Sequence, residues 1–404
     1  MIANTEYKGV RIFKKPEFGF VVIWLVITAM LLFYLFLQQA RGIFTSDLSS
    51  HIQTAINGEG YSVISRLLSI SYRIAGNYGC AALLTVVSIG TIILSGWMFR
   101  FFLQESHFTE RISIEKSILL AGPLCFLGGI YIPLIYPIFY LTPNYSGVGS
   151  AGSLCTQPWH NSTYLLMRLF AILAVVFFFR LYQNYKHRVK ISDYIKFTLA
   201  LALANAAKPN FFIAFAPAAL VFLIVDFIKQ KGKGFLRMLG IGICVLISMP
   251  ILFIQANMLF DDSAEKDAHG VAFTLIVVKK LINEGTIIPL LLTGLAFVLI
   301  ATFVIVKKGH TNKRLLFGWT MLGFAFFESL FIVETGPRAA AGNFGWGVPC
   351  CMFILVSICF SQIYIIKNRI NKKLYYLTIT PLCLMLVTGF VYFILLLDGK
   401  SFMI

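Results

Sequence analysis

Long apolar runs separated by short polar segments dominate the chain from residue 19 onward. Runs of about 20 apolar residues match the thickness of a bilayer's hydrocarbon core, so each one predicts a transmembrane helix. A segment between two basic clusters is interrupted at Lys208-Pro209-Asn210 and is predicted to be a helical hairpin with this tripeptide at its tip. Counting that hairpin as two helices, the pattern predicts about eleven spans. The others cover roughly 19–39, 78–103, 117–141, 162–181, 236–258, 287–306, 315–333, 348–366 and 375–397.

Lysine and arginine gather in the segments between spans, as in 186–190, 229–233 and 367–373. Basic residues concentrate in cytoplasmic loops of membrane proteins, so these clusters predict the cytoplasmic side. The N-terminus is then cytoplasmic and the C-terminus lies outside. Four outer loops follow, at about 40–76, 142–161, 259–285 and 334–347.

Composition supports a membrane protein of the all-α class. Hydrophobic residues make up 58% of the 404 residues and charged residues only 13%, with a mean hydropathy of +0.83. A soluble domain has about 25% charged residues, so this chain cannot coat a soluble surface. The net charge of +17 lies in the loops between spans and does not indicate a nucleic-acid partner. We expect one transmembrane domain over residues 1–404, in the plasma membrane and without a cleaved signal peptide.

Asp47 and His51 in the first outer loop are the first candidates for chemistry. If this segment is helical, the two side chains share one face, since residues four apart are neighbours on a helix. A carboxylate there can act as a general base, with His51 orienting a polar substrate. The alternative is a helix-capping role for Ser46 or Asp47.

Residues 61–74 predict an amphipathic helix on the membrane surface, with serines, Arg66 and Arg73 on one stripe and aliphatic residues opposite. Two arginines on the outer side depart from the positive-inside trend. They therefore favour a phosphate-bearing ligand. Anchoring to anionic lipid is the alternative.

Three further outer segments carry polar side chains. Trp159-His160-Asn161 offers a stacking ring, an imidazole and an amide, although an aromatic belt at the membrane interface has a similar composition. Lys208, in the sequence Lys208-Pro209-Asn210, is costly between apolar segments and so predicts a functional site. The loop that contains Glu334, Arg338 and Trp346 fits a carbohydrate or lipid-phosphate cavity.

The cysteines and the acidic run at 261–267 give little indication of a metal or cofactor site. None of the eight cysteines has metal-binding spacing, so we expect no metal site among them. The acidic run is interpreted as a solvated loop, with a divalent cation as the alternative. No cofactor is predicted with certainty.

In the order and sidedness of these elements, the chain resembles the GT-C class of polytopic membrane glycosyltransferases, which use polyprenyl-phosphate sugars. The resemblance covers most of the chain. It is carried by Asp47 in the first outer loop, the amphipathic helix 61–74, Trp159-His160-Asn161 and Ala207-Lys208-Pro209-Asn210.

The resemblance implies transfer of a sugar to an acceptor hydroxyl on the non-cytoplasmic face, with Asp47 as general base. The acceptor would be a glycan, a lipid or a protein, in the biosynthesis of cell-envelope glycans. The implied ligands of the lipid phosphate and donor are Arg66, Arg73, Lys208, Asn210 and Arg338. The implied substrate-binding residues are Trp159, His160, Asn161, Glu334 and Trp346.

One departure from the family concerns the acids of the first loop. Many members carry two acidic residues there, whereas this chain has Asp47 with His51, which puts metal dependence in doubt. Two alternatives remain open: a polymerase or ligase of lipid-linked polysaccharides, and a polytopic transporter or flippase. A transporter is expected to carry ionisable groups near mid-membrane, whereas here they cluster at the outer ends, with Glu328 as the one deep acid.

Overall fold

The computed structural model describes residues 16–104, 112–128, 159–260, 270–283, 287–335 and 343–400. Most of these described residues are helical; their long apolar segments satisfy the backbone internally, because lipid offers it no hydrogen-bond partner. The α-helices are α1 Pro16–Ala40, α2 Leu48–Ile56, α3 Val63–Gln104, α4 Ile114–Ala121, α5 Ser162–Asn184, α6 Ile191–Ala207, α7 Asn210–Lys229, α8 Phe235–Phe260, α9 Ile276–Asn283, α10 Ile287–Lys307, α11 Lys313–Phe331, α12 Gly347–Ile366 and α13 Lys372–Leu397.

Eight helices in the described part of the chain are long and apolar enough to cross a membrane. The prediction of a polytopic helical membrane protein is confirmed, but the count of eleven spans is not. The predicted span 117–141 starts in α4, which gives way to a 3₁₀ helix at Gly122–Phe126, where Pro123 stands near its start. The rest of that span lies largely outside the described residues. α6, with 17 residues, is shorter than the other predicted spans.

Two short strands are an addition to the predicted all-α class. β1 Val271–Phe273 and β2 Ile332–Glu334 pair antiparallel, with Val271 opposite Glu334. Three-residue strands are too short to leave a readable alternation of apolar and polar residues. Their pairing matters because it sets the position of the Glu334 backbone at the end of α11.

The long helix α3 consists of two segments joined by a break. Ala75 and Gly76 have non-helical backbone angles, and the φ of Gly76 is +56°. The first segment, 63–74, is the predicted amphipathic helix, and the second is the apolar span. The prediction that these elements separate near residue 74 is therefore confirmed.

The basic clusters meet at one end of the helix bundle, called here the basic end. Asp226 near the end of α7 accepts a hydrogen bond from Lys313 Nζ at 2.6 Å and another from the Tyr185 hydroxyl. Lys186 Nζ lies 3.4 Å from the same carboxylate, and Arg237 Nη1 donates to the Tyr185 carbonyl at 3.0 Å. Four helix ends, those of α5, α7, α8 and α11, are thereby held together.

The predicted hairpin is present between α6 and α7. Lys208 has an extended backbone, and α7 begins at Asn210 directly after Pro209. Because α6 begins next to the basic end and α7 returns to it at Asp226, the Lys208 turn lies at the opposite end of the bundle. That opposite end carries the polar cluster described next.

Candidate functional site

Asp47 is held by a residue from another helix. The Ser46 hydroxyl accepts a hydrogen bond from the backbone N–H of Leu48, the first residue of α2, at 2.9 Å. The Asp47 side chain makes no capping hydrogen bond. Instead, Asp47 Oδ2 accepts from Asn161 Nδ2 at 3.0 Å. The capping alternative therefore applies to Ser46 and not to Asp47.

Asn161 connects Asp47 to Lys208 through Thr163. Asn161 is the N-cap of α5, and its Oδ1 accepts from the Tyr164 backbone N–H at 3.0 Å and from the Thr163 hydroxyl at 2.7 Å. Lys208 Nζ in turn donates to Thr163 Oγ1 at 3.1 Å. A carboxylate from the first loop and an ammonium from the hairpin turn thus belong to one hydrogen-bonded chain.

Two imidazole rings lie in the same cluster. His51 Nδ1 and Ser162 Oγ are 2.8 Å apart and share a hydrogen bond, and the backbone N–H of His51 donates to the Asp47 carbonyl, as the predicted helical spacing requires. Burial lowers the pKa of His51, with Lys208 acting in the same direction and Asp47 opposing. Burial also lowers the pKa of His160 to about 4, again against the attraction of Asp47. Both rings are therefore neutral at pH 7.

Trp346 packs beside Lys208 and His160. Lys208 Nζ lies 4.8 Å from the Trp346 ring centre, within the range of a cation–π contact, and the His160 ring centre lies 5.6 Å from it. Trp159, in contrast, is 1% exposed and packs against Phe126 and Phe393. Trp346 is therefore part of the polar cluster, and Trp159 is part of the core behind it.

A cavity of about 310 Å³ lies next to this cluster, between α7, α8 and the short strands. Its apolar wall includes Ile213, Leu252 and Phe253. The polar side chains that line it are Tyr61, Lys208, Asn210, Gln255, Glu334 and Asn343. The cavity therefore offers one apolar side and one polar side that contains a cation.

A second hydrogen-bonded chain fixes the polar side of the cavity. Asn343 Nδ2 donates to Glu334 Oε2 at 2.8 Å, and Asn210 Nδ2 donates to the Asn343 carbonyl at 2.9 Å. The same amide of Asn210 donates to Glu328 Oε1 at 2.7 Å. Glu328 is 1% exposed inside α11. The buried carboxyl group therefore anchors Asn210 from behind the cavity.

Two of the remaining predicted site residues, Arg66 and Arg73, do not line the cavity. Arg66 and Arg73 are exposed on the 63–74 segment, on the same face as the exposed Ile70 and Ile74. The prediction that these two isoleucines lie opposite the arginines is therefore wrong, and only the remaining aliphatic residues form the buried side. Arg338, the acidic run 261–267 and most of the loop 142–161 lie outside the described residues. Within the described ranges, no three His, Cys, Asp or Glu side chains are grouped as a metal site would need.

Four site residues were missed by the sequence reasoning: Tyr61, Thr163, Gln255 and Asn343. Thr163 lies two residues after the recognised Trp159-His160-Asn161 segment, so its proximity was an available signal. Gln255 interrupts the apolar run near the end of α8, where it is 5% exposed and its Nε2 donates to the Ala206 carbonyl at 2.8 Å. A buried glutamine near the end of a span is a signal that could have found it.

Comparison with known proteins adds no relative to this geometry. No protein-family model matches the chain, and no curated protein matches it.

Proposed function

We propose that this protein is a membrane glycosyltransferase that moves a sugar from a polyprenyl-phosphate donor to an acceptor hydroxyl. The observation that carries the proposal is the hydrogen-bonded chain from Asp47 through Asn161 and Thr163 to Lys208. It places a half-buried carboxylate and a buried ammonium at the same end of the bundle, beside a cavity. Sugar transfer from a phosphate requires both groups, a base for the acceptor and a cation for the leaving phosphate.

In the proposed reaction, Asp47 accepts the proton of the acceptor hydroxyl. The acceptor oxygen bonds to the anomeric carbon while the bond between that carbon and the phosphate oxygen breaks. The bonding electrons leave with the polyprenyl phosphate, whose negative charge is stabilised by Lys208. A preorganised cation is effective because it requires no reorganisation when charge develops.

The two-sided cavity supports a lipid-linked substrate. Ile213, Leu252 and Phe253 provide apolar contact for the first part of a prenyl chain, and Lys208, Asn210 and Glu334 provide polar contact for its head. Binding sites of this kind combine an apolar wall with a few placed polar groups. Arg66 and Arg73 on the exposed amphipathic segment suit a phosphate that arrives along the membrane surface.

The deciding experiment is transfer by the purified protein in lipid, supplied with radiolabelled polyprenyl-phosphate sugars and an extract of cell-envelope acceptors. We expect labelled product together with free polyprenyl phosphate. In Asp47→Asn we expect the rate to fall by about 10²–10⁴-fold, the usual contribution of a general base. Glu59→Gln is the matched control, because Glu59 is an exposed acid in the same loop.

If Asp47→Asn still transfers the sugar at the rate of the unmodified protein, Asp47 is not the general base and the proposed mechanism is wrong.

A second candidate function is that of a lipid transporter or flippase. It is favoured by Glu328, because an acid that is 1% exposed within a span is costly to keep. Movement of the labelled lipid across the bilayer with its sugar bond intact would support that function and contradict glycosyl transfer.

A further inference from the structure

A second cavity lies at the basic end of the bundle, far from the site described above. It is a groove of about 540 Å³ between α6 and α8. At its polar end, the Tyr194 hydroxyl donates to the Arg237 carbonyl at 2.9 Å. A Cβ on Gly240 would lie 2.9 Å from the Tyr194 ring, so the glycine allows the ring to pack closely on α8. We call this cavity the α6–α8 groove.

The walls of the α6–α8 groove are apolar and face outward. Ile195 and Leu199 on α6 are 53% and 56% exposed, and Ile243 and Ile247 on α8 are 45% and 58% exposed. Apolar side chains with such exposure on membrane-spanning helices are in contact with lipid chains. The interior of the groove is therefore a place for hydrocarbon.

The length of the α6–α8 groove corresponds to one leaflet. Its lining on α8 runs from Leu236 to Ile247, which is about 16 Å at 1.5 Å per residue. The hydrocarbon core of a bilayer is about 30 Å thick. A second copy of this chain would be expected to contact a span along most of its length. A groove that extends over half of the hydrocarbon core instead fits the acyl chain of a single lipid.

The charge at the polar end specifies the lipid. Arg237 is exposed and is the one charged side chain among the described residues that lines the α6–α8 groove. Its Nη1 donates to the Tyr185 carbonyl at 3.0 Å, which holds the guanidinium at the mouth. Lys190 is also exposed; it is the N-cap of α6, with an extended backbone, one turn before Tyr194. Two cations at one mouth complement an anionic headgroup.

We propose that the α6–α8 groove binds one anionic phospholipid, with an acyl chain along the groove and its phosphate at Arg237 and Lys190. The bound lipid would hold α6 against α8. Because α6 ends at Ala207, directly before Lys208, this contact stabilises the helix that presents the Lys208 turn at the other end of the bundle. The proposal does not depend on glycosyl transfer.

Native mass spectrometry of the purified full chain tests the proposal. The protein is incubated with phosphatidylglycerol or with phosphatidylcholine of identical acyl chains, and bound lipid is counted after the detergent is removed. We expect at least 10-fold more retained phosphatidylglycerol than phosphatidylcholine. Arg237→Gln should reduce this preference at least 5-fold, and Arg237→Lys should keep most of it. Lys308 is an exposed cation outside the groove, so Lys308→Gln should leave the preference for phosphatidylglycerol unchanged.

A second variant separates lipid loss from misfolding. Thr198→Phe fills the α6–α8 groove without altering its charges, and it should reduce retention of phosphatidylglycerol while thermal unfolding still shows a cooperative transition. Equal retention of both lipids by the unmodified protein, or unchanged retention in both Arg237→Gln and Thr198→Phe, would overturn the proposal. So would a dimer that dissociates in Thr198→Phe, because a second copy would then occupy the groove.

Discussion

Asn161 has two structural roles in one side chain, the N-cap of α5 and the contact that holds Asp47. Its Oδ1 accepts the Tyr164 backbone N–H at the start of α5, and its Nδ2 donates to Asp47. Because the two roles use different atoms, substitution can separate them. Serine is also a good N-cap, but it lacks the amide N–H that reaches Asp47.

We therefore expect Asn161→Ser to keep the N-cap but to lose about 1.5–3 kcal/mol of stability with the hydrogen bond to charged Asp47. Because Asp47 is then no longer held in place, kcat should fall at least 10-fold. Asn161→Ala should lose the same activity and, in addition, about 1 kcal/mol of stability. Transfer kinetics and thermal unfolding of both variants check this. Equal activity of Asn161→Ser and the unmodified protein would show that the contact does not position Asp47.

His160 makes stability depend on pH. Its pKa is about 4 in the folded protein and 6.5 in a model peptide, so the folded state binds fewer protons between these values. The stability from the neutral ring is complete above pH 6.5 and is lost as the pH falls toward 4, by on the order of 3 kcal/mol. Melting temperatures between pH 7 and 4.5 should fall less steeply in His160→Gln.

His51 has a pKa shifted in the same direction, so His160→Gln should flatten the profile only in part. The double variant with His51→Gln should flatten it further. Parallel profiles of His160→Gln and the unmodified protein would contradict the assignment of a neutral His160.

At the scale of elements, the break in α3 separates a surface helix from a span. Gly76 has φ +56° and ψ −142°, a conformation that side chains rarely adopt. Gly79 then packs closely, because a Cβ there would lie 2.1 Å from the Ser71 carbonyl oxygen. The orientation of the 63–74 segment depends on these two glycines.

We expect Gly76→Ala to destabilise the protein by about 1–3 kcal/mol through backbone strain. Gly323→Ala is the matched control, since Gly323 lies inside α11 and an added Cβ meets nothing within 4 Å. That change should be neutral or slightly stabilising. The measurement is thermal unfolding of the Gly76→Ala and Gly323→Ala proteins. Equal melting temperatures would show that the backbone of Gly76 does not require glycine.

At the scale of the whole molecule, the structure separates two ends. Lys186, Lys313 and Arg237 gather around Asp226 and Tyr185 at the basic end, and the cluster of Asp47 and Lys208 lies at the other. The positive-inside rule predicts that the basic end is cytoplasmic.

Cysteine labelling tests this orientation. In a variant with all eight native cysteines replaced, Glu59→Cys should react with a membrane-impermeant maleimide in intact cells. Lys308→Cys should react only after the cells are permeabilised, because residue 308 lies in the loop next to the basic end. Glu59 and Lys308 are both exposed, so either cysteine is accessible to the reagent on its own side. The reverse pattern would place the polar cluster in the cytoplasm.

The sequence by itself determined the membrane class, the hairpin break at Lys208-Pro209 and the end of the amphipathic segment near Ile74. These features depend on local properties: the hydropathy of about 20 consecutive residues, a proline, and a glycine next to a polar stripe. Nothing local revealed the strand pair of Val271 with Glu334, since three-residue strands leave no pattern.

Only the tertiary structure decided which polar side chains meet. Asn161 reaches Asp47 across 114 positions of sequence, and Asn210 reaches Glu328 across 118. Helix packing sets such contacts, and the spacing of residues along one helix does not contain them. For the same reason, Trp159 and Trp346 look alike in sequence, yet the first lies in the aromatic core and the second lies against Lys208.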